Sequence, residues 1–143
     1  MNRDFRGWSS FSKLDFKADY QLVTHNYLKG TIRGLHYSLD QSKIVHCVQG
    51  SIFDVIVDMN VNSPFYLKWL SREISSSELD YISVPAGYAH GYQTLEDNTK
   101  LLYFFDLDCP DQLGVLWNDP KVSIKWPLNV SAISEKDLLW PLL

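Results

Sequence analysis

Ser51-Ile52-Phe53-Asp54-Val55-Ile56-Val57-Asp58 is the stretch from which the fold is read. In an extended chain, side chains alternate between two faces. Phe53, Val55 and Val57 share one face; Ile52, Asp54, Ile56 and Asp58 share the other. The first face is wholly apolar. The second mixes apolar groups with two carboxylates, as a sheet lining a polar cavity would. Gly50-Ser51 separates this strand from the apolar run 44–48, so the two read as a hairpin.

Working outward, Asn62-Ser63-Pro64 breaks the strand. Further strands are predicted at 66–70, 81–84, 90–95 and 100–105, with a short one at 115–117 that ends at Asn118-Asp119-Pro120. Near the end, Ser134-Glu135-Lys136-Asp137 opens one helical turn with Ser134 as N-cap. Amphipathic helices are scarce. Many short, closely spaced strands predict an all-β barrel or sandwich, as one domain over 1–143.

Composition bounds the function. A chain of 143 residues buries roughly 68–70% of its unfolded surface and folds without disulfide or metal staples. With 45% hydrophobic and 14% aromatic residues, little of it is expected to be disordered. A net charge of -4 excludes a general attraction for nucleic acid, while leaving room for a local anion pocket. Cys47 and Cys109 are too few for a disulfide framework. No apolar run approaches the ~20 residues of a membrane span, and Met1-Asn2-Arg3-Asp4 lacks the apolar core of a signal peptide. A cytoplasmic protein without membrane contact is expected.

Four segments carry candidate chemistry. In Gly30-Thr31-Ile32-Arg33-Gly34-Leu35-His36-Tyr37, Arg33 and His36 lie three apart, so a regular strand sends them to opposite faces unless the glycines bend it. An imidazole with an ordinary pKa near 6.5 accepts a proton at neutral pH. Lys43 opens the apolar run, either as a solvated strand end or as a cation aimed into a cavity, where it favours an enolate or a phosphate. Pro85-Ala86-Gly87-Tyr88-Ala89-His90 sets a tight turn before His90. Asp137 lies in the helical turn, where a solvated carboxylate is the ordinary expectation.

The ordered set Arg33-Gly34-Leu35-His36, Gln41-x-Lys43, Gly50-x-x-x-Asp54-Val55-x-Val57-Asp58, Ser63-Pro64, Pro85-x-Gly87-x-Ala89-His90-Gly91, Trp117-Asn118-Asp119-Pro120 and Trp126-Pro127 resembles the dTDP-4-dehydrorhamnose 3,5-epimerase family over nearly the whole chain. The resemblance implies a cupin-type jelly-roll β-barrel that needs no metal or other cofactor and forms homodimers. It implies a nucleotide-diphosphate sugar as substrate, a dTDP-linked 4-keto-6-deoxyhexose inverted at C3, C5 or both, in deoxysugar and polysaccharide biosynthesis. By the same resemblance His36 is the base, Asp137 orients it, and Lys43 favours the enolate. Arg6, Asn26, Arg33 and His90 contact substrate. The family's tyrosine, expected before a proline, has no counterpart in Asp106-Leu107-Asp108-Cys109-Pro110; Asp108 or Cys109 stands in its place. Water, Asp108 or Tyr103 then returns the proton. The same base and cation also suit a nucleotide-sugar 3,4-ketoisomerase, and the missing tyrosine suits a non-catalytic sugar-nucleotide-binding cupin. The H-x-H pair of a metal cupin is absent, because Tyr37-Ser38 follows His36.

Overall fold

A computed structural model of the chain describes residues 2–4, 7–9, 16–78, 80–108 and 111–143. Eleven strands and one helical turn occur among these residues: β1 (Asn2–Asp4), β2 (Gly7–Ser9), β3 (Tyr20–Asn26), β4 (Ile32–Tyr37), β5 (Lys43–Gln49), β6 (Ser51–Asp58), β7 (Trp69–Ser75), β8 (Tyr81–Val84), β9 (Tyr88–Thr94), β10 (Thr99–Phe105), β11 (Leu113–Gly114) and α1 (Glu135–Leu138). β1 and β2 form a small hairpin. The rest make two antiparallel sheets, one in the order β3-β10-β5-β8 and one in the order β11-β4-β9-β6-β7. The all-β jelly-roll expectation holds. Among the described residues no helix is long and apolar enough to cross a membrane.

The alternation along β6 explains why the sheets face each other. Ile52, on the mixed face, packs with Val45 and Cys47 of β5, Ile74 of β7, Tyr92 of β9, and Leu101 and Tyr103 of β10. These residues come from both sheets, so the cluster lies between them. Val55 and Val57 point the other way and are fully buried with Leu35, Met59, Ala89, Val115, Val122 and Ile124. This second cluster seals the outer face of the five-stranded sheet beneath the segment 115–143. Each fully buried Val contributes about 1.5–3 kcal/mol relative to exposure. The inward face then offers Asp54 to the interior, as the alternation predicts, while Asp58 at the strand end turns its carboxylate to the loop that follows.

Two predicted strands are displaced. Residues 61–67 form turns, and the strand begins at Trp69. Asp58 causes this: its Oδ1 accepts the Asn60 N–H and its Oδ2 the Ser63 hydroxyl, which folds the loop back on itself. The strand expected at 115–117 is instead Leu113–Gly114, after which Val115 exchanges two backbone hydrogen bonds with Leu35 and the chain turns at Trp117. β3 was not legible because it is an edge strand, with Tyr20, Leu22 and Val23 all exposed, so it has little alternation to read. The helical turn is as expected, with the Ser134 hydroxyl accepting from the Asp137 N–H at 3.2 Å.

Candidate active site

The interior of the barrel is polar where β4, β9 and β6 run side by side. Arg33 pairs with Tyr92 and His36 pairs with His90 across the β4–β9 ladder. Tyr92 and His90 are two apart and share the inward face, so Arg33 and His36 share it as well. An ordinary strand cannot do this for residues three apart. The ladder shifts register between Arg33 and His36, where Gly34 has φ +128. A Cβ on Gly34 would lie 2.6 Å from Gly91 Cα, and one on Gly91 would lie 2.8 Å from the Arg33 carbonyl oxygen. The two glycines therefore let the backbones touch at the bulge, and the bulge turns His36 inward.

His36 and Asp137 meet across the sheet face. Nε2 of His36 lies 2.6 Å from Asp137 Oδ1, and the Gly34 N–H donates to Asp137 Oδ2 at 3.1 Å. Asp137 is buried. Burial pushes its carboxyl pKa up, but the hydrogen bond and charge of His36, the Gly34 N–H and the neighbouring Trp140 indole outweigh this, so the pKa stands below the ordinary value. An ionised carboxylate only accepts, so His36 carries its proton on Nε2 and presents the Nδ1 lone pair. Its side chain is 25% exposed, so the ring is not sealed off from a ligand.

The neighbouring histidine has the same kind of partner. His90 Nε2 lies 2.6 Å from Asp54 Oδ1, and both side chains are 3% exposed. The His90 ring also stands 6.1 Å from that of Tyr103. Burial raises the Tyr103 hydroxyl well above the ordinary phenol value, and Tyr92 and Asp54 add to the shift, so Tyr103 stays protonated. The arrangement thus places two histidine–carboxylate pairs side by side in one interior.

Lys43 is buried at the start of β5, and its Nζ donates to the His36 carbonyl oxygen at 3.4 Å. Of its two sequence readings the structure places it inside the barrel rather than at a solvated strand end. Arg33 is exposed, with its Nε donating to Asn26 Oδ1 at 2.7 Å. Asn26 is buried, and its amide also donates to the Tyr92 hydroxyl and the Thr99 carbonyl. Asn26 is thereby placed to aim Arg33. Arg6 lies outside the described residues, as does Cys109; Asp108 is exposed. Of the residues expected at the site, His36, Lys43, Asp137, Arg33, Asn26 and His90 occupy one connected region. Asp54 as the partner of His90 was not foreseen. Its signal was a carboxylate on the cavity face of an apolar strand, but the pairing needs the strand order. Among the described residues, no group of three or more His, Cys, Asp or Glu side chains is arranged to hold a metal ion.

A family model described as dTDP-4-dehydrorhamnose 3,5-epimerase matches residues 2–143. A dTDP-4-dehydrorhamnose 3,5-epimerase of Sinorhizobium fredii is 42% identical over 120 residues, covering 80% of this chain and 62% of that protein. The chain thus spans less than two thirds of that relative's length. The crystal structure of the Bacillus anthracis enzyme of that name, with TDP and PPi bound, superposes with a TM-score of 0.91 at 35% identity, covering 98% of this chain and 88% of that one. The Legionella pneumophila dTDP-6-deoxy-D-glucose-3,5-epimerase, in complex with dTDP-4-keto-L-rhamnose, superposes with a TM-score of 0.87 at 29% identity, covering 97% and 81%.

Proposed function

The chain belongs to the dTDP-4-dehydrorhamnose 3,5-epimerase family, and from that premise we propose that it epimerises a nucleotide-linked 4-keto-6-deoxy sugar at C3, C5 or both. The observation that carries the reading is His36 Nε2 at 2.6 Å from the ionised Asp137, with Nδ1 left as an acceptor in a polar interior. The C3 and C5 hydrogens flank the C4 ketone and are acidified by it. His36 takes one of them, and the C–H electron pair moves to O4 as an enolate. Asp137 stabilises the imidazolium that results. The buried Lys43 ammonium offsets the enolate charge in a medium of low dielectric. A proton then returns to the opposite face of the carbon, and the enolate collapses to the ketone.

Arg33, set by Asn26, meets the diphosphate, with Arg6 as a second nucleotide contact; His90 binds the sugar. The position of the family's tyrosine carries Asp108 or Cys109, so this is a divergent member in its acid. Tyr103, a protonated phenol in the interior, is our candidate to return the proton. Two chains act as a homodimer, a reading supported by the uncovered edge strand β3 and its exposed Tyr20, Leu22 and Val23. The site of action is the cytoplasm.

The test is incubation with a dTDP-linked 4-keto-6-deoxyhexose in D₂O, read by NMR. Deuterium at C3 or C5 with inversion supports epimerisation. A carbonyl moved to C3 means a ketoisomerase. Tight nucleotide binding that His36→Ala leaves unaltered, with no exchange at either carbon, means a binding protein and sinks the proposal.

A further inference from the structure

The helical turn carrying Asp137 is only four residues long, too short to hold its own shape in water. Its fixed position must come from what flanks it. On one side Ala132 bridges Thr31, and the Ile32 N–H donates to the Ala132 carbonyl at 2.9 Å. On the other side the Leu143 N–H donates to Oδ2 of the buried Asp119 at 2.9 Å. Between these two anchors stands Trp140.

Trp140 occupies a slot that the sheet leaves open. Gly114 of β11 is the direct cross-strand partner of His36, so a side chain at 114 would stand beside the imidazole. There is none. A Cβ built on Gly114 would fall 1.9 Å from Trp140 Cε2 and 2.1 Å from Cδ2, within the indole itself. The indole therefore fills the place of the missing side chain, and its ring meets His36 edge-on, with centroids 6.3 Å apart and planes at 63°. Lys136 reaches over the same ring, with Nζ 6.0 Å from the centroid. The indole Nε1 is closed off from solvent and has no hydrogen-bond partner within normal reach among the described residues. It nevertheless acts on Asp137 as a weak, poorly aligned hydrogen-bond donor that favours the ionised carboxylate, after the stronger influences of His36 and Gly34. A buried N–H is costly unless something satisfies it, and the interaction left to this one is with the Asp137 carboxylate, which ties the indole to the His36–Asp137 pair.

We propose that Trp140 is a positioning residue for the base: seated in the slot above Gly114, its indole walls the His36 imidazole into register with Asp137 and shields the Asp137 side of that pair from water. This rests on the reading of His36 as the base. Misplacing a reacting group by about 1 Å can cost 10²-fold in rate, so the effect belongs in kcat rather than in KM.

The test has two parts. In the wild-type protein, the ¹⁵N indole resonance of Trp140 is followed against pH together with the ¹³C carboxyl resonance of Asp137 and the imidazole of His36. The indole should move with the titration of the pair; a flat indole resonance overturns the proposal, whatever the enzyme's activity. In the exchange assay, Trp140→Ala should lower kcat about ten- to a hundred-fold with KM within about two-fold, and Trp140→Phe, which keeps a ring in the slot, should recover most of the loss. An unchanged kcat in Trp140→Ala, or an effect confined to KM, also overturns it. A wild-type protein that exchanges no deuterium refutes the function proposed above, while the indole titration still decides whether Trp140 senses the pair.

Discussion

Replacing Asp137 by Asn probes the base without changing the shape of the site. Both carboxylate oxygens accept: Oδ1 faces His36 Nε2 at 2.6 Å and Oδ2 faces the Gly34 N–H at 3.1 Å. An amide has one acceptor and one NH₂. If its oxygen stays toward His36, the NH₂ points at the Gly34 N–H, and two donors face each other in a buried site. That costs about 1–3 kcal/mol of stability. If the amide flips, its NH₂ donates to Nε2, and the imidazole must carry its proton on Nδ1, the nitrogen that should accept from substrate. Either way the imidazolium loses its compensating charge. Reversed tautomers and lost ion pairing in comparable histidine–carboxylate pairs lower rates by as much as about 10⁴-fold. We expect Asp137→Asn to lower the kcat for deuterium incorporation at C3 and C5 on the order of 10³-fold, with KM little altered, because Asp137 acts through His36. The assay is NMR of the sugar in D₂O across a substrate series. If Asp137→Asn exchanges within about three-fold of wild type, the assignment of His36 as an Asp-oriented base is wrong.

Other expectations follow from the same geometry. The Asp137 carboxyl has a depressed pKa in the folded protein, so its stabilising contribution is present above the unfolded value near 3.9 and is lost as pH falls through the folded one; melting curves of wild type and Asp137→Asn should converge on acidification. Lys43→Met, which keeps most of the side-chain volume without the charge, should reduce the exchange kcat by about 10²–10³-fold; an unaltered kcat would remove the lysine from the enolate. Tyr103→Phe should leave deuterium washout largely intact while slowing formation of the inverted product, and equal loss of both would make Tyr103 structural. Gly91→Ala should cost about 1–3 kcal/mol in urea unfolding, since its Cβ would meet Leu35 Cδ2 at 2.6 Å and the Arg33 carbonyl at 2.8 Å. The Cys47 thiol is buried and pushed up to about 11, so site-resolved mass spectrometry should find it unalkylated in the native protein at pH 8.

The alternation along residues 51–58 and the turn chemistry at Gly50 and Pro85 determine the all-β class and the face that lines the interior. These are local properties, carried by the period of the strand and the dihedrals of a few residues. The ordered motifs placed His36, Lys43, Arg33 and His90 on this chain as candidates, and Ser134 marked the start of the helical turn. No local rule could say that Arg33 and His36 face the same way, because that depends on the close approach of Gly34 to Gly91, 57 positions along the chain. Nor could it find the partner of His90, since Asp54 comes from a different strand of the same sheet. Lys43 could be read as solvated or buried until the sheets closed over it. Asp137 was paired with His36 by family resemblance alone; 101 residues separate them. Their meeting at 2.6 Å follows from the segment 132–143 being anchored to Thr31 at one side and to Asp119 at the other, with Trp140 resting where Gly114 has no side chain. Contacts so distant in sequence are decided by packing, to which period and propensity are blind.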